Sequence, residues 1–424
     1  MKQNSMIIGC VADDFTGASD AASFLRAAGL KVALSTGLPE ADKDIGGCEA
    51  VVVALKCRST PAPEAVRDCI EAFRWLQEAG AQKLYYKYCS TFDSTRRGNI
   101  GPVMDSALNE FGEKYTILCP ALPVNGRTVK NGRLYVDGVP LHLTHMKDHP
   151  LNPMWSADIS ELMREQSRYP CYVVTLKDML KGKEHIQKMI DRFSAASEHF
   201  YLIPDYFEQE HDKLIYSLFG GLKLLSGGSG LLAAVDACRK TSTEENEVCV
   251  TAAGKTILLA GSCSNMTLRQ IEEYRRKHDM AIKIDPLSVL DGTQTLNSLW
   301  GEVAGRDGAL LYSSESAQEI TRIPERSRTQ VSEKLEQLMA ELAVNAENEG
   351  YTQIIVAGGE TSGAVTKGIN YGTYLIGESV APGVPVMMPV RNSAMRIVLK
   401  SGNFGQEDFF DTAIEKTTKG RRGI

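Results

Sequence analysis

The chain has 424 residues, a hydrophobic fraction of 43% and a net charge of −6 from 47 basic and 53 acidic side chains. That length exceeds what a single core usually organises, so two domains are expected. The evenly mixed, mildly acidic charge lacks the basic footprint that a phosphate backbone requires, which argues against nucleic acid, and no run approaches the ~18 apolar residues of a membrane span.

The opening run SMIIGCVA (5–12) reads as a buried strand followed by the helical pattern DAASFLRAAG (20–29). AVVVALK (50–56) precedes the helix 61–80, KLYYKY (83–88) precedes the helix 101–112, and YTILC (115–119) follows. Strand-then-helix repetition of this kind predicts an α/β fold with a mostly parallel sheet flanked by helices. In RTVKNGRLYVDGVPL (127–141) the pairs Asn131-Gly132 and Asp137-Gly138 are hairpin turns, so a small antiparallel insertion is expected in the first domain. The alternation resumes with CYVVTL (171–176), HFYLIPD (199–205) and LKLLSGGSGLLAAV (222–235).

Residues 241–255 are polar and read as a linker, which sets a first domain at 1–240 and a second at 256–424. Beyond the linker the pattern starts afresh. TILLAGS (256–262) leads into NMTLRQIEEYRRKH, and MAIKID, ALLYSS and a long helix near 328–350 follow. TQIIVAGGETSGAV (352–365) and MRIVLKSGNFGQEDFF (395–410) complete a second α/β domain of the same class.

The amino terminus, MKQNSMIIGCVADD, has too few apolar residues for a secretory leader, and a cytoplasmic protein is expected. Ten cysteines occur singly, with no C-x-x-C, and read as reduced core thiols.

Ligands of open parallel sheets bind beyond the carboxyl ends of the strands. In the first domain those ends deliver Asp13, Asp14 and Thr16, then Arg58, then Lys87, Ser90, Asp93, Ser94 and Arg97, then Asn125 and Arg127. Carboxylates, hydroxyls, amides and cations gathered on one rim suit a small, polyhydroxylated anion. Asp14 could equally be a helix N-cap, but two adjacent carboxylates cannot share that role.

The second domain's strand ends deliver Gly261-Ser262-Cys263-Ser264 with Thr267, then Gly358-Gly359-Glu360-Thr361, then Lys400-Ser401-Gly402. Glycine and hydroxyl residues opening a helix form an anion site of the phosphate-binding kind, so a nucleotide is expected there. Lys400 reads either as a phosphate partner or as a solvated edge residue. Ala253-Gly254-Lys255-Thr256 resembles the end of a P-loop but lacks its first glycine and precedes a strand. Gly227-Gly228-Ser229-Gly230 is weak evidence alone, because such turns often serve only close packing. His142, His145 and His149 lie among prolines that break the helix their spacing would need for zinc, and His149 is retained only as a substrate contact.

Taken in order, VADDFTGASD, KYCSTFDSTRRGN, PALPVNGR, GGSGL, LAGSCSNMTLRQI, VAGGETSGAV and LKSGNFGQEDFF resemble the four-carbon acid sugar kinases. The resemblance implies a sugar-acid-binding first domain and a second domain binding ATP with Mg²⁺. It also implies γ-phosphoryl transfer to the C4 hydroxyl of the acid. The wording is most similar to the branch acting on 3-oxo-tetronates, with threonate and erythronate as alternatives. Many relatives carry K-x-D-S-T-x-R-G; here Thr91 stands at the lysine position, and Lys87 is the nearest substitute. The general base is expected at Asp14 or, second, Asp93. Metal ligands are unassigned and a homo-oligomer is left open. A dehydrogenase would need G-x-G-x-x-G after the first strand, which is missing. A non-catalytic sugar-acid-binding protein would leave three phosphate-type loops unexplained.

Overall fold

The computed structural model describes residues 6–39, 45–148, 152–235, 254–314 and 323–418. The chain divides into two compact units, Met1–Ser242 and Thr243–Ile424. Nearly all of the expected linker, and His149, lie outside the described residues.

The strands of the first unit are β1 (Ile8–Ala12), β2 (Val32–Thr36), β3 (Ala50–Ala54), β4 (Lys83–Lys87), β5 (Tyr115–Ile117), β6 (Arg127–Lys130), β7 (Arg133–Val136), β8 (Val139–Pro140), β9 (Cys171–Val174), β10 (Phe200–Pro204) and β11 (Leu224–Gly227). Its helices are α1 (Phe15–Ala27), α2 (Ala62–Glu78), α3 (Ile100–Phe111), α4 (Ile159–Arg164), α5 (Leu176–Met179), α6 (Lys183–Ala196) and α7 (His211–Phe219). Five strands run parallel in the order β11-β4-β1-β3-β2. β1 and β3 are buried along their whole length, as strands covered on both faces must be. Helix α2 turns Ala65, Cys69, Ile70, Phe73 and Leu76 inward, and it packs so closely on β1 that a Cβ at Gly9 would lie 2.8 Å from the Leu76 Cβ.

Ala12 aligns with both Ala54 and Lys87, and Lys87 with Gly227, so four strands end level with one another. The chain leaves β1 for the β2 edge and later crosses to β4 on the other side, which makes the end of β1 a topological switch point. The expected hairpins are present as β6-β7-β8, with Asn131, Gly132, Asp137 and Gly138 all left-handed. β9 and β10 do not extend the main sheet as the alternation suggested. They pair with β5 in a separate parallel sheet of order β5-β10-β9.

The second unit contains β12 (Lys255–Ala260), β13 (Ala281–Lys283), β14 (Ala309–Tyr312), β15 (Tyr351–Ala357), β16 (Thr373–Ala381), β17 (Val384–Pro389) and β18 (Arg396–Lys400). Its helices are α8 (Asn265–Lys277), α9 (Pro286–Asp291), α10 (Leu296–Val303), α11 (Arg328–Asn348), α12 (Gly359–Ile369) and α13 (Phe409–Thr418). Strands follow the order β16-β17-β18-β15-β12-β14-β13, parallel from β18 onward, with β17 antiparallel to both neighbours. Lys255 opens β12, so the P-loop-like segment is a strand entry. Leu258, Ile355, Val386, Val398, Phe409 and Phe410 belong to its core. Among the described residues, no helix is long and apolar enough to cross a membrane.

Candidate active site

In the first unit the rim is organised around one guanidinium. Arg58, on the loop after β3, donates from Nε and Nη2 to both oxygens of Asp13 at 2.9 and 2.8 Å. Its Nη2 also lies 3.1 Å from Asp14 Oδ1, and its Nη1 lies 3.8 Å from Asp93 Oδ2. Burial alone would lower the Arg58 pKa, but Asp13 and Asp14 outweigh it and hold the value well above the ordinary one. Burial pushes the Asp13 carboxyl up and Arg58 pulls it back. With a bidentate partner of such basicity, the pair stays ionised. Asp13 is therefore committed to orienting Arg58.

Asp14 is the N-cap of α1, its Oδ1 accepting the Gly17 N–H at 2.7 Å. The Asp14 side chain is 30% exposed, and among the described residues its Oδ2 has no protein partner. A Cβ at Gly17 would collide with Asp14 Oδ1 and come within 3.1 Å of Lys87 Nζ. The turn thus needs glycine to admit both charges. Lys87 is buried, donates to the Tyr88 carbonyl at 2.9 Å and lies 4.0 Å from Asp20 Oδ2.

Ser94 and Asp93 sit on the loop after β4, and Gly98 closes it: any Cβ there would occupy the place of the Ser94 hydroxyl. Thr91, at the family's lysine position, is buried with its hydroxyl 2.9 Å from Cys89 Sγ. Arg97 is exposed, whereas Thr16, Ser90, Asn125 and Arg127 are half-buried. The Arg127 guanidinium donates to the Asn125 carbonyl, stiffening that turn. The glycines of residues 227–230 do serve close packing. A Cβ at Gly228 would strike the Pro120 carbonyl and lie 3.6 Å from the Ser90 Cβ, which brings the β5, β4 and β11 ends together.

In the second unit Ala260, Ala357 and Lys400 are aligned across β12, β15 and β18, so the three glycine loops start side by side. Backbone bonds tie them: Gly261 N–H to the Ala357 carbonyl at 2.9 Å, and Gly358 N–H to the Lys400 carbonyl at 2.9 Å. A Cβ at Gly358 would lie 3.0 Å from Thr361 Oγ1 and 3.1 Å from the Ser262 nitrogen, and one at Gly402 would lie 2.9 Å from Ser264 Oγ. Helices α8 and α12 open at these loops, with Ser264 capping α8 by accepting the Thr267 N–H at 3.2 Å. Gly359 and Glu360 are exposed on the first turn of α12, while Ser262, Ser264, Ser401 and Gly402 are half-buried.

Two of the residues expected at the nucleotide are buried. Thr267 is fully buried, and so is Lys400, whose Nζ donates to Thr267 Oγ1 and to the Ser401 and Gly402 carbonyls. The solvated-edge reading of Lys400 is thereby excluded. Burial pushes its pKa down to about 7.

Residues 8–235 match the sugar-binding N-terminal domain family, and residues 257–410 match the nucleotide-binding C-terminal domain family. The chain belongs to this two-domain sugar-acid kinase family. It is 37% identical over 417 residues to a 3-oxo-tetronate kinase of Brucella melitensis, covering 96% of this chain and 95% of that one. A 3-oxo-tetronate kinase of Actinobacillus succinogenes is 37% identical over 413 residues, covering 96% and 99%. A crystallised Haemophilus influenzae protein superposes with a TM-score of 0.81 at 37% identity, covering 96% of this chain and 100% of that one.

Three residues of the kinase's first unit escaped the reading of its sequence. Asn99 donates to the carbonyls of Cys57 at 2.6 Å, Arg58 at 3.3 Å and Thr60 at 2.9 Å, so it fixes the loop that carries Arg58. The Ser229 hydroxyl donates to Asp20 Oδ2, anchoring the 227–230 turn to α1. Burial raises the Asp20 pKa, against the pull of Lys87 and Ser229. Asn99 closes the recognisable D-S-T-R-R-G-N string, and Ser229 lies in the G-G-S-G string. These two, and Asp20 at the end of VADDFTGASD, were visible as motif members, but their partners are fixed only by which strands become neighbours.

Proposed function

We propose that this kinase transfers the γ-phosphoryl group of ATP to the C4 hydroxyl of a 3-oxo-tetronate. The supporting observation is the rim of the sugar-binding unit, where Asp14 keeps one oxygen without a partner among the described residues, beside the cations Arg58 and Lys87. The full-length likeness to kinases named for that substrate supports the same reading.

In this reading Asp14 Oδ2 accepts the proton of the attacking hydroxyl while Oδ1 stays anchored to the helix, which holds the base in one orientation. Asp93 lines the same guanidinium and is the second candidate for that task. Asp13 orients Arg58, whose Nη1 makes no hydrogen bond to the described residues and is left for the substrate. Lys87, Arg97 and Arg127 supply the remaining positive charge for the acid group, with Thr16, Ser90, Ser94 and Asn125 as hydroxyl and amide partners.

On the nucleotide side, backbone N–H groups of the three glycine loops and the hydroxyls of Ser262 and Ser401 receive the phosphates. Among the described residues no three metal-ligating side chains cluster. A Mg²⁺ held by phosphate oxygens and one carboxylate fits that donor set, and Glu360, exposed beside Gly358 and Gly359, is the residue to hold it. The ion would neutralise charge on the transferring group. Dependence on ATP agrees with a cytoplasmic reaction.

The deciding experiment measures ADP release with ATP and Mg²⁺ against 3-oxo-tetronate, threonate and erythronate, and locates the phosphate by phosphorus NMR. Preferential turnover of 3-oxo-tetronate to its 4-phosphate is expected. Preference for threonate or erythronate, or phosphate on another oxygen, overturns the substrate reading.

A further inference from the structure

We propose that Lys400 is a positioning residue that builds the phosphate-binding loop from beneath and does not itself touch the nucleotide. The inference rests on the reading that the nucleotide is ATP.

Lys400 is the last residue of β18, and its side chain is fully buried. An ammonium has three protons to give. All three are accounted for inside the protein, by Thr267 Oγ1 at 3.0 Å, the Ser401 carbonyl at 3.1 Å and the Gly402 carbonyl at 2.8 Å. The Phe409 ring lies under the same group, 5.5 Å from centroid to Nζ. A hand-over of Nζ to a phosphate would break this set.

The consequence lies in the peptide planes. Among the described residues all peptides are trans, and in a trans peptide the carbonyl and the N–H of one plane point in opposite directions. Drawing the Ser401 and Gly402 carbonyls inward onto Nζ therefore turns the N–H groups of Gly402 and Asn403 outward. Neither N–H meets an acceptor among the described residues, although Asn403 is exposed and Gly402 half-buried. Successive outward N–H groups form an anion nest.

The grip is reinforced from α8. Thr267 Oγ1 donates to the same Gly402 carbonyl at 2.9 Å, and Gln270 Nε2 donates to the Phe404 and Gln406 carbonyls at 3.0 and 2.8 Å. Gly402 can come this close to the α8 loop only because it lacks a Cβ. The carbonyls of Ser401, Gly402, Phe404 and Gln406 are thus held inward, with the buried Lys400 amino group behind the first two.

The test compares the full-length protein with Lys400→Met and Thr267→Val by titration calorimetry with ATP, adenosine and 3-oxo-tetronate. Lys400→Met keeps the side-chain length and removes a buried charge, so the thermal midpoint should stay level or rise. ATP should bind roughly tenfold to a hundredfold more weakly. Adenosine and 3-oxo-tetronate should bind within about twofold of the parent. Thr267→Val should also weaken ATP several-fold and spare adenosine, because it loosens the Gly402 carbonyl. A lysine acting as a direct phosphate ligand would leave Thr267→Val unaffected, so an unchanged ATP affinity in that variant overturns the proposal, even if Lys400→Met fails to fold. Equal losses for ATP and adenosine also overturn it. Failure of the parent to bind ATP would instead sink the functional reading.

Discussion

Asp13 and Asp14 are neighbours in sequence and opposites in role. One is spent on a bidentate bond to Arg58, and the other caps α1 with one oxygen while leaving the second outward. Asp13→Asn should therefore act first on stability, since removing one member of a buried ion pair costs ~3–5 kcal/mol. Urea unfolding should register that loss, and the Michaelis constant for the sugar acid should rise while that for ATP stays level. Asp14→Asn should instead lower kcat by ~10²- to 10⁴-fold, the usual range for a lost general base. Full kcat in that variant would move the base to Asp93. Lys400 gives a pH signature whose sign follows from linkage. Its pKa falls from the ordinary 10.5 to about 7 on burial, so between those values the unfolded chain holds one proton more than the folded chain. The penalty is complete below about 7 and relieved as pH rises toward 10.5. The stability advantage of Lys400→Met over the parent should accordingly be largest near pH 6 and shrink by pH 9.5. Urea midpoints of both proteins across that range provide the check, and an advantage that grew with pH would contradict the assignment.

At the scale of elements, what the chain repeats is a strand whose end is followed by a short turn and a helix, with a glycine in the turn or in the first turn of the helix. β1 into α1, β12 into α8 and β15 into α12 all follow it. Gly402 brings elements close without that helix, because its missing Cβ lets the β18 loop lie against Ser262 and Ser264. Gly402→Ala should push these loops apart and raise the ATP Michaelis constant by roughly tenfold or more, as misplaced binding groups do. Circular dichroism should remain unchanged, and an unaltered ATP constant would mean that the loops do not share a ligand. The strand ends, the hairpin turns and the two glycine-opened helices were legible in the sequence, because each is written in a short local string. The placement of β9 and β10 was not, since four or five apolar residues specify a buried strand and say nothing of which sheet receives it. The antiparallel β16–β17 pair likewise carried no motif. Burial of Lys400 and Thr267 could not be read locally either. Both depend on β18 lying beside β15, and on α8 supplying the hydroxyl that meets the ammonium.

The whole molecule repeats one topological device. In each unit the first strand is central, the second lies farther out on one side, the third fits between them and the fourth lies on the other side of the first, so that β1 and β12 each end at a switch point. The two candidate sites occupy those points, one rich in carboxylates and cations, the other in glycine and hydroxyls. If each site serves one substrate, then each ligand stabilises the folded protein through its own unit, by about 2.7 kcal/mol at a hundred times its dissociation constant. Variants should therefore separate cleanly in a thermal-shift experiment on the full chain. Asp13→Asn should abolish or shrink the shift given by 3-oxo-tetronate and retain the shift given by ATP. Gly402→Ala should do the reverse. The crossing of these two effects decides, and not the size of either, because a variant that merely weakened the fold would lower both baselines and leave both ligand-induced shifts in place. Loss of the sugar-acid shift in Gly402→Ala with the ATP shift intact would show that the glycine loops of the second unit do not hold the nucleotide, and the division of labour would have to be redrawn.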